Sequence, residues 1–560
     1  MGERILVCIA WPYAKSVTHV GQIVGSVLPG DIFARYQRMA GNDVLMVSGS
    51  DAHGTPITVE ADAEGISPND VVERYHTQIL QVWERLGISW DLYTKTTTPN
   101  HYEVVQGFFM KLLENGYLYK ETMESPYCPT DRRFLQDRYI LGTCPVCGNT
   151  KARGDQCEHC GTILDPEQLI NPYCRICLSK TSTIEFRETE HFMWDLPKLQ
   201  PALEEWLAGT TAHWRPQVVN FVNNWLKEGL RPRAFTRDID WGVPVPVAGF
   251  DTKRIYVWWD AVMGYLSATV EYMKLHGTPE GWRDWWETTP ANPQPSKVYH
   301  FIGKDNISFH AVLWPALLLG HGGLVLPYDV PANEFMQMGG QKASTSEGNV
   351  VWTPDALDRY GADALRYYLT AVMPETRDTS FSYDDLVQRN NNELVAAFGN
   401  AVHRTLTFVQ RHYDAKVPEA GELLPEDQAL LAAAASAFGT VGEAINAVHL
   451  RDGLNDGMAL ARAVNKYLDD QAPWKTIKAD KARAGTSLNV VIQALGALRL
   501  LLTPYIPHAT QKLHEMLGYD GQVDTLAWAY AAVPTNQALP VPQPLFTKYD
   551  PPAEANQAGG

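Results

Sequence analysis

The fold is set by the stretch Ile5-Leu6-Val7-Cys8-Ile9-Ala10-Trp11-Pro12-Tyr13-Ala14-Lys15-Ser16-Val17-Thr18-His19-Val20-Gly21-Gln22. Its first six residues are apolar and rich in β-branched side chains, which is typical of a buried strand. A turn follows, and apolar residues with a 3.6-residue period then predict a helix beginning near His19. A helix N-terminus offers unpaired N–H groups and a positive dipole to phosphate, and Gly21 lets a ligand approach the backbone. Taken alone, a histidine beside a packing glycine explains the same residues.

The bulk composition describes a large globular protein. The chain has 560 residues, 45% of them hydrophobic and 20% charged, and at about 150 residues per domain this length predicts three or four domains. The net charge of −17 argues only weakly against a polyanionic partner, because binding depends on local patches. No apolar run reaches about 18 residues and no signal peptide is recognisable, so we expect no membrane span and a cytoplasmic location.

Residues 1–115 continue as an α/β segment. A second buried strand at residues 43–47 ends in a polar turn that contains Asp51 and His53. Polar residues at the carboxyl end of parallel strands are where such sheets bind ligands. A capped turn explains the glycines and serines here, but it leaves an aspartate and a histidine together in one turn unexplained.

Residues 116–233 interrupt this pattern with a cysteine-rich insert. Two Cys-x-x-Cys knuckles, each followed by glycine, predict a closed four-thiolate zinc site. Clustered cysteines in a reducing compartment indicate metal binding and not disulfides. The predicted ligands are Cys144, Cys147, Cys157 and Cys160.

A second, outer metal site is possible in the same insert. Cys128 and Asp131 share the knuckle spacing with Cys174 and Cys177, and a carboxylate can ligate zinc. A Cys₃Asp zinc site and a vacant site are both compatible with this pattern. Either metal would have a structural role, because a compact insert with little core needs a metal to fold.

The α/β pattern returns over residues 234–330, so the insert divides one sheet domain. The sequence predicts strands at residues 254–260 and 297–305 and an apolar helix at residues 309–319. Trp258, Tyr265 and His310 lie in these segments, and each is compatible with a place in the core as well as in a site.

The last part of the chain divides into three. Residues 331–383 contain a glycine-bracketed, hydroxyl-rich loop around Lys342, which is typical of a mobile loop that closes over phosphates or of a surface loop. Residues 384–535 show helical periodicity throughout and predict an all-α bundle. Residues 536–560 are rich in proline, alanine and glycine, and we expect them to form a flexible tail.

Read together, these motifs resemble the class I aminoacyl-tRNA synthetases. The residues His19-Val20-Gly21-Gln22 resemble the first signature of the class, nominally His-Ile-Gly-His, and Lys342-Ala343-Ser344-Thr345-Ser346 resembles the second, nominally Lys-Met-Ser-Lys-Ser. The cysteine insert and four further motifs are similar to those of the methionyl members. These four are Arg237–Gly242, Tyr256–Ala261, His300–Asp305 and Gln471–Trp474.

The resemblance implies a fold and a reaction. The fold is a Rossmann-like parallel-sheet catalytic domain, interrupted by the zinc-knuckle insert and followed by an all-α anticodon-binding bundle. The activity is methionine–tRNA ligase: methionine and ATP give methionyl-adenylate and pyrophosphate, and methionine then passes to the 3′-terminal adenosine of tRNA(Met). The implied cofactors are Mg²⁺ with ATP and one or two structural Zn²⁺ ions.

The resemblance also assigns site residues. The catalytic residues are His19, Gln22, Lys342, Ser344 and Ser346, and ATP is also bound by Pro12, Tyr13, Gly21 and Asp305. The methionine-binding residues are Ala10, Trp11, Tyr13, Asp51, Trp258, Ala261, Tyr265 and His310. The anticodon-binding residues are Asn400, Arg404 and Trp474.

Two departures from the signatures leave alternatives open. Gln22 replaces the second histidine of the first signature, and Thr345 replaces the second lysine of the second signature. A catalytically weakened paralogue that acts as a tRNA-binding or scaffold protein is therefore one alternative, and a class I synthetase for another amino acid is a second. The family's dimerising C-terminal domain does not follow residue 535, so we expect a monomer.

Overall fold

The N-terminal part of the chain alternates strands and helices. The structure is a computed structural model that describes residues 2–135, 139–154, 157, 159–160, 164, 166–175, 177, 184–338, 341–342 (backbone alone) and 350–550. The first helix runs without a break through a π-helical turn at Ile23–Val27. The elements of this part are β1 (Arg4–Ile9), α1 (Val20–Gln22), α2 (Leu28–Met39), β2 (Asp43–Ser50), α3 (Thr55–Glu64), α4 (Pro68–Leu86), β3 (Leu92–Lys95) and α5 (Pro99–Glu114).

The insert is a long antiparallel ribbon with the cysteine knuckles beyond its tip. Strand β4 (Leu118–Cys128) pairs along its length with β9 (Glu185–Trp194), and Cys128 lies at the end of β4. A separate three-stranded sheet carries the knuckles. The other elements are β5 (Arg133–Phe134), β6 (Ile140–Thr143), β7 (Ala152–Arg153), β8 (Ile170–Cys174), α6 (Gln200–Thr210), α7 (Pro216–Glu228) and β10 (Arg233–Ala234).

The second half of the sheet domain follows the insert. Its elements are β11 (Thr236–Arg237), β12 (Arg254–Ile255), α8 (Val257–Leu275), α9 (Arg283–Trp286), β13 (Lys297–Gly303), a π-helical turn (Phe309–Leu313), α10 (Trp314–His321) and β14 (Ala332–Asn333). The five central strands lie in the order β14-β13-β1-β2-β3, and every neighbouring pair is parallel. The predicted Rossmann-like parallel sheet is confirmed, and the insert does divide it.

Both faces of the sheet are buried, as a parallel sheet requires. Ile5, Val7 and Ile9 of β1 belong to one large core, while Leu6 and Cys8 belong to the other. This alternation explains why the run at the start of the chain is apolar at every position. It also brings the carboxyl ends of β1, β2 and β13 to one edge, where the ligand crevice of such sheets lies.

One predicted strand is a helix. We expected residues 254–260 to be extended, but only Arg254–Ile255 pairs as a strand and α8 begins at Val257. Most of the first half of α8 is buried on all sides. A helix without a polar face loses the 3.6-residue pattern, so its apolar start cannot be told from a strand.

The C-terminal part is helical. It begins with β15 (Met336–Met338), β16 (Gln341–Lys342), α11 (Thr353–Tyr360), α12 (Ala362–Ala371), β17 (Thr379–Phe381) and α13 (Tyr383–Arg389). A π-helical segment, Asn390–Gly399, leads into the bundle. The bundle helices are α14 (Asn400–His412), α15 (Pro425–Asn446), α16 (Leu450–Gln471), α17 (Pro473–Thr476), α18 (Lys481–Leu501) and α19 (Pro507–Met516).

In the described part of the chain, α15 and α18 are long and apolar enough to cross a membrane by length and composition alone. The whole apolar window of α18 is buried within the protein, and that of α15 is buried in part. Burial of this kind is what the core helix of a helical bundle shows.

The described part of the C-terminal tail is packed, which differs from the flexible tail we expected. Gln410 donates hydrogen bonds to the carbonyls of Leu539 and Pro540, and Asn390 donates to the carbonyl of Thr547. Leu545 is also buried. The tail is rich in proline and runs without regular secondary structure, and its backbone carbonyls accept hydrogen bonds from side chains of the bundle.

Candidate active site

The first signature lies at the start of the long N-terminal helix. The His19 N–H donates to Gln22 Oε1 (3.1 Å), so the glutamine side chain caps the helix start. With its oxygen engaged, the Gln22 amide contributes N–H donors, which suit a phosphate. A side chain at position 21 would come within 3.0 Å of the His19 ring, which explains the glycine.

His19 is a neutral side chain at physiological pH. Burial, together with the nearby charge of Lys15, lowers the pKa of His19 to about 4. Its Nδ1 has no hydrogen-bond partner among the described residues. A neutral imidazole acts as a hydrogen-bond donor or acceptor and not as a fixed cation.

The chain that follows the second signature returns to the first. Lys342 lies on β16, which pairs with β15, and the chain returns at Val351, whose carbonyl accepts a hydrogen bond from the Val20 N–H (3.0 Å). Trp352 also bridges to His19. Ser344, Ser346 and Thr345 lie outside the described residues, as does the Lys342 side chain. The backbone therefore brings the C-terminal end of the loop to the start of the His19 helix.

A cavity of about 250 Å³ lies between these segments at the carboxyl edge of the sheet. It combines the end of β1, the start of the His19 helix and the end of β13. Pro12, Gly21 and Asp305 all line it, whereas Tyr13 lies outside its wall. The lining residues are Ala10, Trp11, Pro12, His19, Gly21, Gln22, Gly25, Ser26, Val27, Trp83, Gly303, Asp305, Asn306, Glu334, Phe335 and Met336.

The predicted methionine residues come from four separate segments and meet in an aromatic cluster. The Trp11 ring packs edge-on against Tyr265 (6.4 Å between centroids), and Tyr13 packs edge-on against Trp258 (6.0 Å). Ala261 lies one turn from Trp258 and from Tyr265 on α8, so the three share a helix face. Aromatic edges of this kind suit a thioether sulfur.

Tyr265 and His310 form a defined hydrogen-bond chain. His310 Nδ1–H donates to the Asn306 carbonyl (3.0 Å), so its Nε2 accepts the Tyr265 O–H (2.6 Å). Burial lowers the pKa of His310 to about 4 and raises that of Tyr265 well above its usual value. Both groups are therefore neutral in a buried wall that also contains Trp11.

Asp51 follows β2 and is held beside the β1 turn. Its N–H donates to the Pro12 carbonyl (2.8 Å), and its own carbonyl accepts from the Ala14 N–H (2.9 Å). Burial and the charge of Asp260 raise the pKa of the Asp51 carboxyl well above its ordinary value. A buried carboxylate of this kind favours a cationic partner.

The cysteines of the insert form two groups whose ligand atoms lie close enough together to hold a metal ion. The Sγ atoms of Cys144 and Cys160 are 3.8 Å apart, and those of Cys147 and Cys157 are 3.6 Å apart. Thiolates about 2.3 Å from a tetrahedral zinc lie at similar separations, so this group fits the ion. The second group consists of Cys128, Asp131, Cys174 and Cys177, and its ligand atoms also lie within 4.8 Å of one another.

The three candidate anticodon residues lie on the helical bundle. The Arg404 guanidinium lies 4.4 Å over the Trp474 ring, and both residues line a cavity of about 500 Å³. Trp474 is half-buried: it packs against the bundle core and also lines the cavity. Asn400 is exposed one turn before Arg404 and lies outside the cavity wall.

The fold and the site together define a class I aminoacyl-tRNA synthetase. Residues 5–406 match the family model described as tRNA synthetases class I (M), and residues 417–557 match the anticodon binding domain of methionyl tRNA ligase. The chain belongs to the methionyl-tRNA synthetase family, as the resemblance implied.

Individual relatives agree over nearly the full length. The chain is 48% identical to the methionine–tRNA ligase of Roseiflexus sp. (strain RS-1), covering 98% of this chain and 97% of the relative. It is 47% identical to the ligase of Thermomicrobium roseum, with the same coverage. A crystal structure of the Mycobacterium tuberculosis enzyme bound by methionyl-adenylate has a TM-score of 0.80 and 26% identity, covering 98% of this chain and all of the other.

Sequence reasoning missed several residues that the structure brings to the site. Phe309 stacks on Trp258 (4.1 Å), and Asn306 lines the cavity and fixes His310. His53 and Asp260 form a buried pair beside Asp51. The one available signal was the presence of His53 in the same turn as Asp51.

Proposed function

We propose that this chain activates methionine with ATP to give methionyl-adenylate and pyrophosphate, and then transfers methionine to the 3′-terminal adenosine of tRNA(Met). One observation carries the proposal: the cavity at the start of the His19 helix shares Trp11 with the Tyr265–His310 wall. A nucleotide in the cavity would therefore lie next to an amino acid held by that wall.

The first step needs orientation and charge stabilisation more than proton transfer. The attacking carboxylate is already ionised, so no general base is required, and the rate depends on stabilising the leaving phosphates. We assign His19 and Gln22 as neutral donors to the phosphates and Lys342 as the cation of the closing loop, with Ser344 and Ser346 as further donors. Pro12, Tyr13, Gly21 and Asp305 complete the ATP site.

Methionine recognition follows from the neutral Tyr265–His310 pair. Because His310 Nε2 accepts a hydrogen bond from the Tyr265 O–H, the hydroxyl oxygen and the ring edges face a weakly polar sulfur without a competing charge. The apolar wall around the methionine side chain is formed by Ala10, Trp11, Tyr13, Trp258 and Ala261. Asp51 holds the α-ammonium group. An apolar wall alone distinguishes one methylene by only about 1–3 kcal/mol, so the thioether contact must supply the rest.

The anticodon is bound by Asn400, Arg404 and Trp474. A half-buried tryptophan beside a cavity offers a stacking face to an unstacked base. Arg404, already held over that ring, supplies donors to base edges or phosphate.

We assign one structural Zn²⁺ to the inner Cys₄ group and a second to the Cys₃Asp group. Cys174 Sγ donates to Asp131 Oδ2 (3.0 Å), and the sulfurs of Cys128 and Cys177 are 3.9 Å apart, which supports a shared ion. Mg²⁺ accompanies ATP as the counter-ion of its phosphates. The enzyme works as a monomer in the cytoplasm.

Amino-acid-dependent ATP–pyrophosphate exchange tests the proposal. Purified protein should exchange pyrophosphate with methionine and not with leucine, isoleucine, valine or cysteine, and it should charge tRNA(Met). Exchange with another amino acid would favour a different class I synthetase. The absence of exchange, together with tRNA binding, would favour the scaffold protein.

A further inference from the structure

The long N-terminal helix has a π-helical turn in the wall of the cavity that the proposed function assigns to ATP. The turn covers Ile23–Val27, and its last three residues, Gly25, Ser26 and Val27, line the cavity. A Cβ added at Gly25 would meet no atom beyond its own helical turn within 4 Å, so the backbone there borders open space. Ser26 Oγ also donates to the Gln22 carbonyl (3.4 Å), which connects the turn to the first signature. The shape of this turn therefore determines part of the cavity.

The π-helical turn leaves one backbone carbonyl without a donor from its own helix. The α-helical partner of the Val24 carbonyl would be the N–H of residue 28, and its π-helical partner would be the N–H of residue 29. The Leu28 N–H donates to the Ile23 carbonyl instead, and residue 29 is proline, which has no N–H. A buried carbonyl without a donor is costly, so another part of the chain has to supply one.

Asn333 of β14 supplies this donor. Its Nδ2 donates to the Val24 carbonyl (2.8 Å), and the residue is 2% exposed. Arg215 of the insert donates through Nη1 to Asn333 Oδ1 (2.6 Å) and to the Ala332 carbonyl (2.8 Å). Because a guanidinium only donates, it selects the amide oxygen and turns the NH₂ group of Asn333 towards Val24. Glu334, the next residue of the chain, also lines the cavity.

We propose that Asn333 and Arg215 are positioning residues for ATP, which together hold the π-helical turn at Ile23–Val27 in the shape that accepts the nucleotide. The inference rests on the assignment of the cavity to ATP in the proposed function. Neither residue belongs to the cavity wall, so both act through the Val24 carbonyl. Their loss should weaken ATP binding and spare methionine, because the Tyr265–His310 wall lies on other segments.

Replacement of Asn333 by a side chain of similar size tests the inference. Asn333→Leu should raise the KM for ATP about 10-fold in pyrophosphate exchange, because it leaves the Val24 carbonyl buried without a donor. The KM for methionine should stay within about twofold. Arg215→Met should raise the KM for ATP by a smaller factor, and it should add nothing once Asn333 is replaced, because it acts through that amide. If the KM values for ATP and methionine rise together, the side chain supports the fold alone and the inference is wrong.

Pro29→Ala provides a rescue, because it gives the helix the N–H that the Val24 carbonyl lacks. The single Pro29→Ala variant is the reference, so any effect of the proline itself cancels. In this background Asn333→Leu should raise the KM for ATP by less than about threefold. A rise as large as in the wild-type background would show that Asn333 does not act through the Val24 carbonyl, and it would overturn the inference.

Asn489→Leu is the matched control. Asn489 Nδ2 donates to the Pro418 carbonyl (2.7 Å), and the residue is similarly buried at 6% exposure, but it lies on α18 of the helical bundle. This variant loses the same kind of hydrogen bond outside the sheet domain, so its KM for ATP should stay within about twofold. An equal rise in Asn489→Leu and Asn333→Leu would mean that a general loss of stability, and not the shape of the turn, weakens ATP binding.

Equilibrium binding of an ATP analogue separates this inference from the proposed function. The α,β-methylene analogue of ATP cannot release pyrophosphate, so its Kd reports on the nucleotide site without the reaction. Asn333→Leu should weaken its binding about as much as it raises the KM for ATP. Wild type that fails to exchange pyrophosphate with methionine counts against the proposed function, whereas equal Kd values for wild type and Asn333→Leu count against the role of Asn333.

Discussion

Trp474 is the residue on which recognition of the anticodon should depend most. Trp474→Ala removes a stacking face worth about 1–3 kcal/mol, so we expect tRNA(Met) charging to require roughly 5- to 150-fold more tRNA. Pyrophosphate exchange should stay near the wild-type rate, because Trp474 lies on the helical bundle and the cavity lies at the sheet edge. Aminoacylation and exchange kinetics on the same preparation measure both effects.

Trp474→Phe is the control for this prediction. It keeps an aromatic face next to Arg404 and should retain most of the charging activity. A parallel loss of exchange and charging in Trp474→Ala would show that the residue supports the fold and not the tRNA.

At the residue scale, the sequence predicts those groups whose members lie close together along the chain at a characteristic spacing. The four inner cysteines and the His19–Gln22 helix start belong to this class, since each motif lies within one short stretch of sequence. The His53–Asp260 pair joins residues 207 positions apart, and no local pattern indicates that they meet. Tyr265 and His310 are each assigned to the methionine site by the family resemblance, whereas the hydrogen bond between them is seen only in the structure and its direction follows from the Asn306 carbonyl.

The insert is the element whose folding should depend on metal. Its small core around the knuckles contains Cys128, Cys144, Cys157 and Cys174, so unligated thiols would leave little to hold it. We expect purified protein to contain about two equivalents of zinc, and Cys144→Ser to contain about one. Elemental analysis measures the zinc, and hydrogen exchange over residues 139–174 measures the loss of local structure.

Cys8→Ala serves as the control for the zinc count. Cys8 is buried in β1 of the central sheet, away from both cysteine groups, so this variant should keep about two equivalents. Two equivalents retained in Cys144→Ser, or one equivalent in wild type, would contradict the two-site assignment.

At the element scale, hydrophobic periodicity predicts helices that have one solvent-exposed face better than helices that are buried on every face. Helices α15 and α16 each present a polar side, and both lie within residues 384–535, where the periodicity predicts a helical bundle. The start of helix α8 has the sequence pattern of a strand, because burial on all sides removes the polar positions that mark a helix.

For the whole molecule, an ion cluster joins the sheet domain to the helical bundle. Arg366 of α12 and Asp31 of α2, 335 positions apart, form a fully buried pair (2.6 Å), and Arg366 also donates to the carbonyls of Pro504 (2.8 Å) and Tyr505 (2.9 Å). Arg35 is a second partner of Asp31 (3.1 Å). No local pattern indicates this contact, because its three segments are brought together only by the final packing.

Arg366→Met should therefore lower the free energy of unfolding by about 3–5 kcal/mol, because it leaves Asp31 and the carbonyls of Leu86, Pro504 and Tyr505 buried without that donor. Burial alone would raise the pKa of Asp31, but Arg35, Arg366 and Ser89 hold it well below its ordinary value. Wild-type stability from this group is thus present above about pH 4 and is lost as the pH falls toward the lowered pKa, and Arg366→Met should lose less over that range. Urea unfolding at neutral and acidic pH measures both effects.

Arg85→Met is the control, because it breaks an exposed pair with Asp358. It should change the free energy of unfolding by less than about 1 kcal/mol. Equal losses in the two variants would mean that the cluster does not hold the two domains together.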